Sequence, residues 1–269
     1  MANSEPVHFF DIASILPGSS KSWSPNTLKV RAALNFKGIP YTQSFISYPD
    51  IAPLLESLDV EPNKIGTPYT LPAIIHKSSI SSNPHGAMID SLPIVLHLDK
   101  VFPTTSLFPS GDASYALALA VNRIISVEMR GFYVKYIIPN IADKLDPRGH
   151  EYFVRTRTES FGKPLAEMRP TDPKVVAEEW KAFEAGLKPV LEILRGREGK
   201  KGPFFEGDKA GYADLILACH FAWFDRADPE LFKKFIGYAV EFQVLWDACR
   251  PWLEGQGEEK EWPIPGQTN

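Results

Sequence analysis

Two serines flank a tryptophan in KSWSPNTLKVRAALNFKG, residues 21–38, just ahead of an amphipathic helical pattern. Ser24 precedes Pro25, a residue favoured at the first helical position, so Ser24 is expected at the N-cap. A capping side chain accepts a bond from a backbone N–H and keeps its own hydroxyl proton to give away. A thiolate at that spot would receive the hydroxyl and the positive end of the helix dipole together. A thiol of ordinary pKa, about 8.5, would then shift toward its reactive form near neutral pH. Structural cap and thiolate partner are compatible roles, and the residues alone leave both open.

Further along, TLPAI carries Leu71-Pro72 at the start of a strand expected inside the sheet, where proline is awkward. A trans proline on an edge is the ordinary reading, since X-Pro bonds are cis in only about 5–6% of cases. A cis bond would let the Leu71 backbone pair with an extended peptide ligand. In MIDSLPIVLHLDKVF, Asp90 and Ser91 stand at a helix start. Ser91 suits a plain N-cap. Alternatively, its hydroxyl and a backbone N–H hold a carboxylate while Asp90 holds an ammonium, together gripping the α-amino acid end of a ligand. Met129, Phe132, Tyr133 and Tyr136 form an apolar cluster that reads as core or as substrate pocket. Asp214, in the first turn of a very apolar helix, reads as a folding element whose carboxylate satisfies backbone donors.

These residues need a scaffold. VHFFDI (7–12) and YTQSFI (41–46) read as strands, with a helix from Pro25 to a stop at Gly38 between them. IAPLLESL (51–58) follows as a short helix. LPAIIH (71–76) and GAMID (86–90) read as antiparallel strands around a polar loop, and a helix covers 92–101. Strand, helix, strand, helix, strand, strand, helix is the order of an α/β thioredoxin-like domain. After FPTTSLFPSGD (102–112) the pattern becomes helical: one or two helices over 113–145 with Pro139 as a kink or end, then helices over 174–196, 212–227 and 230–249. The predicted division is a thioredoxin-like domain over 1–103 and an all-α domain over 112–269. The last dozen residues are expected to form a poorly ordered tail.

With 269 residues and 44% hydrophobic side chains the chain can bury a large core. The net charge of −4 is spread out, and no basic run could track a phosphate backbone, so nucleic acid is not an expected partner. No apolar run reaches the roughly 20 residues a bilayer span needs. MANSEPVHFF lacks the basic start and long apolar core of a secretory signal, so a cytoplasmic location without membrane attachment is expected. Cys219 and Cys249 stand alone and the six histidines are scattered, which predicts neither disulfide nor metal.

The order of these signals resembles the soluble glutathione transferases: serine before the first helix, Leu-Pro before the third strand, Asp-Ser before the third helix, then an all-helical domain. The resemblance runs from Val7 to Trp252. SWSPNTLKVRAALNFKGIPY and YPDIAP look closest to the fungal serine-type classes, FuA and etherase-like, which are similar to bacterial lignin β-etherases.

The resemblance implies glutathione as co-substrate and no metal. Ser24 would hydrogen-bond the glutathione sulfur, with Ser22 and Asn26 as second choices for that contact. Leu71 and cis-Pro72 would pair with the cysteinyl backbone, and Asp90 with Ser91 would hold the γ-glutamyl end. Hydrophobic aromatic electrophiles are the implied substrates, with conjugation, ether cleavage and peroxide reduction all compatible. The alternative is a ligandin-type carrier of aromatic or polyphenolic molecules with little turnover. A homodimer is also implied. Two departures stand out: Asp90 replaces the commoner Glu or Gln, and Gly211 replaces a Ser or Thr cap ahead of Asp214.

Overall fold

The structure is a computed structural model that describes residues 5–255 and 257–266. Strand β1 (Val7–Ile12), helix α1 (Pro25–Phe36) and strand β2 (Tyr41–Ile46) form a parallel crossover, in register from Val7↔Tyr41 to Ile12↔Ile46. Helix α2 (Ile51–Ser57) leads to the antiparallel pair β3 (Ala73–Ile75) and β4 (Ala87–Ile89), then to helix α3 (Ser91–Val101). A short strand β5 (Glu258–Glu259) lies parallel to β2, giving the sheet order β4-β3-β1-β2-β5.

The core of this first unit follows from strand alternation. Val7 and Phe9 face Val30 and Leu34 of α1 and Ile94 and Leu98 of α3 in one buried cluster. His8 and Phe10 point the other way and meet Trp262 at ring centroid distances of 4.6 and 5.0 Å. Every residue of β1 is therefore buried, which is why it does not alternate strictly between apolar and polar residues even though it carries His8 and Asp11. His8 bonds the hydroxyls of Thr42 (2.6 Å) and Ser44 (3.0 Å). Burial, helped by the charge of Lys260, pushes its pKa down to about 4.

The described residues form two compact units, the first holding those up to 105, 145–152 and those from 252 on, the second 106–144 and 153–251. The segment 145–152 joins the first through a bidentate Arg148–Asp50 ion pair (2.6 and 2.8 Å), a Ser47–Asp146 hydrogen bond (2.8 Å) and Tyr48 stacked on Tyr152. Helices α4 (Asp112–Glu128), α5 (Arg130–Tyr136), α6 (Ile138–Ala142), α7 (Pro147–Phe161), α8 (Pro173–Arg195), α9 (Tyr212–Ala227), α10 (Pro229–Ile236) and α11 (Val240–Glu254) complete the described helices. Helix α9 is the centre of the second unit: nearly all of it is buried, and Phe221 and Phe224 pack against Phe235 with centroids 4.8 Å apart in each case. None of the described helices is long and apolar enough to cross a membrane.

Four expectations need correction. The 113–145 stretch is three helices, with breaks at Met129 and Ile137, and Pro139 sits in the first turn of the last. The 230–249 stretch is two helices separated at Gly237. Helix α7 lacks the apolar stripe that marks a helix in sequence, since only Gly149 and Phe153 along it are buried, so it went unread. Part of the expected tail is regular structure: Glu258–Glu259 form the fifth strand, paired with Thr42 and Gln43. Residues 267–269 of that tail lie outside the described residues.

Candidate functional site

A parallel crossover brings the start of its helix back to the carboxyl end of its first strand, the edge where open α/β sheets bind ligands. The loop 13–24 therefore opens onto the end of β1. Phe10↔Ala73 pairing sets Leu71-Pro72 at the same edge, and Ala73↔Ile89 pairing adds Asp90, whose N–H bonds the Pro72 carbonyl at 3.3 Å. Sheet topology thus gathers Ser24, Leu71, Pro72, Asp90 and Ser91 at one end of the first unit.

Ser24 takes the N-cap of α1 with φ −71° and ψ 130°. Its carbonyl accepts from Leu28 N (2.9 Å) and Thr27 Oγ1 (3.2 Å), yet its hydroxyl makes no capping bond. The residue fits the expected position but not the expected bond. No acidic residue stands in the first turn, so nothing on α1 neutralises the positive end of the dipole. Asn26 is exposed, and its Oδ1 accepts from Lys29 Nζ at 3.2 Å.

Ser22 behaves differently. It is fully buried and its hydroxyl donates to Asp11 Oδ2 at 2.5 Å, so it is committed to the interior and not offered to a ligand. The same Asp11 oxygen accepts from Arg31 Nη2 at 2.9 Å, and Asp11 Oδ1 accepts from Ile12 N at 2.7 Å. Arg31 Nη1 also reaches Tyr41 OH (3.1 Å) and Gln43 Oε1 (2.7 Å). Asp11 and Arg31 are both fully buried, and a charge at that depth is tolerated only with such pairing. Neither was singled out from the sequence. The available signal was a charge inside each apolar stretch, the aspartate of VHFFDI and the arginine of KVRAALNF.

The Leu71-Pro72 bond is cis, and Pro72 immediately precedes β3, so no ladder donor is lost. At the start of α3 the roles expected of two neighbours shift by one residue: Asp90 is the N-cap and Ser91 the first helical residue. Asp90 is exposed, has φ +74° and makes no side-chain cap bond, and α3 also lacks an acidic residue in its first turn. A non-glycine residue held at positive φ costs of order 1–3 kcal/mol and is characteristic of ligand clamps.

In the second unit, Met129, Phe132 and Tyr136 are buried. Phe132 stacks on Tyr136 and Phe183 with centroids 4.3 Å away in both cases, and Tyr136 OH donates to Glu179 Oε2 at 2.7 Å. Burial, reinforced by that carboxylate, raises the Tyr136 pKa. These three are core residues. Tyr133 keeps some exposed surface beside Trp223 (5.2 Å), and burial raises its pKa. Asp214 accepts from Gly211 N and Phe205 N, both at 2.8 Å. A Cβ at position 211 would lie 3.2 Å from both the Leu107 carbonyl oxygen and Pro109 Cδ, a tight approach that a Ser or Thr cap would have to push back. Cys219 and Cys249 are buried and neither is in a disulfide.

Known proteins share both the pattern and the fold. The family models for the N-terminal and C-terminal domains of glutathione S-transferase match residues 23–101 and 116–235. The glutathione S-transferase-like protein ustS of Aspergillus flavus is 56% identical over 264 residues, spanning 97% of this chain and 95% of that one. Among solved structures, the glutathione S-transferase CsGST63524 of Ceriporiopsis subvermispora, determined in complex with glutathione, has a TM-score of 0.81 and 31% identity over 92% of this chain and 98% of its own. Glutathione transferase GSTFuA3 of Phanerochaete chrysosporium gives 0.80 and 27%, covering 93% and 98%.

Proposed function

The chain belongs to the glutathione S-transferase family, and from that premise we propose a serine-type transferase in which Ser24 activates the thiol of glutathione. The observation that carries this reading is the hydroxyl of Ser24, set at the start of α1 and not spent on capping it. A glutathione sulfur there accepts that hydroxyl and meets an uncompensated helix N-terminus, and both interactions favour the thiolate over the thiol. Ser24 does not attack; the glutathione sulfur is the nucleophile.

The rest of the co-substrate follows from the same edge. The Leu71 backbone before cis-Pro72 pairs with the cysteinyl residue, Ser91 at the first helical position holds the γ-glutamyl carboxylate, and exposed Asp90 holds its ammonium. The glutathione-bound relative CsGST63524 supports glutathione as the ligand. Conjugation then forms a carbon–sulfur bond on a hydrophobic aromatic electrophile, expels its leaving group and gives the thiol proton to solvent. Cleavage of an aromatic ether follows the same steps with a phenoxide leaving, and peroxide reduction is the third chemistry this thiolate supports. Tyr133 is the one expected pocket residue that keeps some exposed surface. The homodimer and the cytoplasmic location belong to the same proposal, as does a boundary between 103 and 112, with the segments 145–152 and from 252 on returning to the first unit.

The test is calorimetric titration of glutathione into the wild type and Ser24→Ala, with the ultraviolet thiolate band of bound glutathione followed against pH in both. Both proteins are expected to bind, and only the wild type to lower the thiol pKa. A hydrogen bond to a charged partner is worth about 1.5–3 kcal/mol, so turnover at neutral pH should fall roughly 10- to 100-fold while affinity changes little. A wild type that binds no glutathione overturns the site. Tight binding of aromatic ligands with negligible turnover across a broad electrophile panel would make the protein a carrier of the ligandin kind.

A further inference from the structure

The matched family models end at residue 235, and the chain beyond Glu254 returns to the thioredoxin-like sheet. It does so through specific groups. The Gly255 carbonyl accepts from Arg31 Nη1 (3.4 Å), Asn35 Nδ2 (3.1 Å) and Tyr41 OH (3.3 Å). Strand β5 pairs with Thr42 and Gln43, Lys260 N donates to the Gln43 carbonyl (2.8 Å), and Ser44 Oγ donates to the Lys260 carbonyl (2.6 Å). Two glycines make the approach possible. A Cβ at 255 would come within 2.7 Å of the Asn35 amide, and one at 257 within 2.5 Å of the Tyr41 ring.

Two routes lead from this segment to the serine loop. Arg31, held by Gly255, holds Asp11, and Asp11 holds Ser22, two residues before Ser24. Separately, Glu259 of β5 pairs with Lys21 Nζ at 2.6 Å, while the Lys21 carbonyl accepts from Ser14 Oγ at 2.8 Å. Lys21 and Ser22, the residues that deliver the chain into the start of α1, are thus tied to the C-terminal segment by an exposed ion pair on one side and a buried relay on the other.

We propose that Gly255 and residues 257–262 form a positioning element for the reaction, fixing the loop that presents Ser24. The idea rests on the assignment of Ser24 to the glutathione sulfur. Arg31, Asp11, Ser22 and Lys21 are positioning residues that act through the backbone of the loop. A helix N-terminus and one hydroxyl stabilise a thiolate only when both stay aimed at the same point, and a loop that wanders loses that alignment before it loses binding.

Two full-length variants test this. The double variant Glu259→Gln, Trp262→Ala loosens the segment at partly exposed side chains and leaves the buried relay intact. Gly257→Val drives a side chain into Tyr41 and displaces the segment. With glutathione bound, the thiol pKa is expected to rise by about one unit in the double variant, and turnover near neutral pH to fall roughly tenfold, with glutathione affinity within about twofold of wild type. Amide hydrogen exchange in residues 13–24 should quicken in both variants, more strongly in Gly257→Val. A wild-type thiol pKa together with unchanged exchange in that loop overturns the proposal. If the wild type itself shows no lowered thiol pKa, the Ser24 assignment fails on that measurement, and unchanged exchange in the variants would still count independently against the coupling.

Discussion

The first turns of α1 and α9 both start from buried residues, Ser24 and Asp214 being 6% and 1% exposed, yet the two are furnished in opposite ways. At α9 a carboxylate spends both oxygens on backbone donors, and glycine at the N-cap lets the chain pass close to Leu107 and Pro109. At α1 the N-cap hydroxyl is uncommitted and no acid offsets the dipole. The start of α3 resembles α1, with Asp90 at positive φ and its side chain unbonded. A helix start whose side chains satisfy its own donors is finished as structure; one whose side chains are withheld leaves donors for water or a ligand to satisfy.

Asp214→Ala is the most severe way to test this contrast. It orphans two buried N–H groups, each worth about 1–3 kcal/mol, so a loss of roughly 2–6 kcal/mol and a large drop in melting midpoint are expected. Burial pushes the Asp214 pKa from 3.8 up to about 7 against the pull of its two backbone donors. With the folded value above the unfolded one, this group's stabilisation is whole below about pH 4 and is lost as pH rises through about 7. The gap in melting midpoint between wild type and Asp214→Ala should therefore narrow from about pH 4 to about pH 8.

Ser24→Ala should do the reverse. An ordinary Ser N-cap is worth about 0.5–2 kcal/mol, but this hydroxyl makes no capping bond, so the melting midpoint should shift by less than about 0.5 kcal/mol equivalent while turnover collapses. A stability loss comparable to that of Asp214→Ala would show that the two helix starts are furnished alike after all.

Periodicity made most of the scaffold legible. The strands at 7–12 and 41–46 and the helix from Pro25 stand where the apolar pattern puts them, because burial imposes that pattern. The position of Ser24 was equally readable from the proline behind it, whereas the freedom of its hydroxyl was not, since a bond left unmade leaves no trace in composition. Helix α7 buries too little to show a stripe, and the C-terminal segment docks through backbone carbonyls, a two-residue ladder and two close-packed glycines, none of which looks apolar in sequence. The Asp11–Arg31 pair escaped for the opposite reason: each charge sits among apolar neighbours that hide it.

The smallest effect sharpens the contrast most. Asn26→Asp would give α1 the acid in its first turn that α4, α9 and α10 already carry. A carboxylate there interacts favourably with the dipole, worth about 0.3–1 kcal/mol, so the melting midpoint should rise slightly. Lys29, whose ammonium already reaches the Asn26 side chain at 3.2 Å, would accommodate the new charge. The same carboxylate competes with the thiolate for the positive end of the helix, so the thiol pKa of bound glutathione should rise while stability improves. Asn26→Ala separates charge from contact: it removes the side chain without adding an anion and should leave the thiol pKa near the wild-type value. Opposite signs for stability and thiolate formation in Asn26→Asp would mean that the bare first turn of α1 is kept for its ligand at a small cost to the fold; equal signs would mean that the dipole plays no part in holding the sulfur.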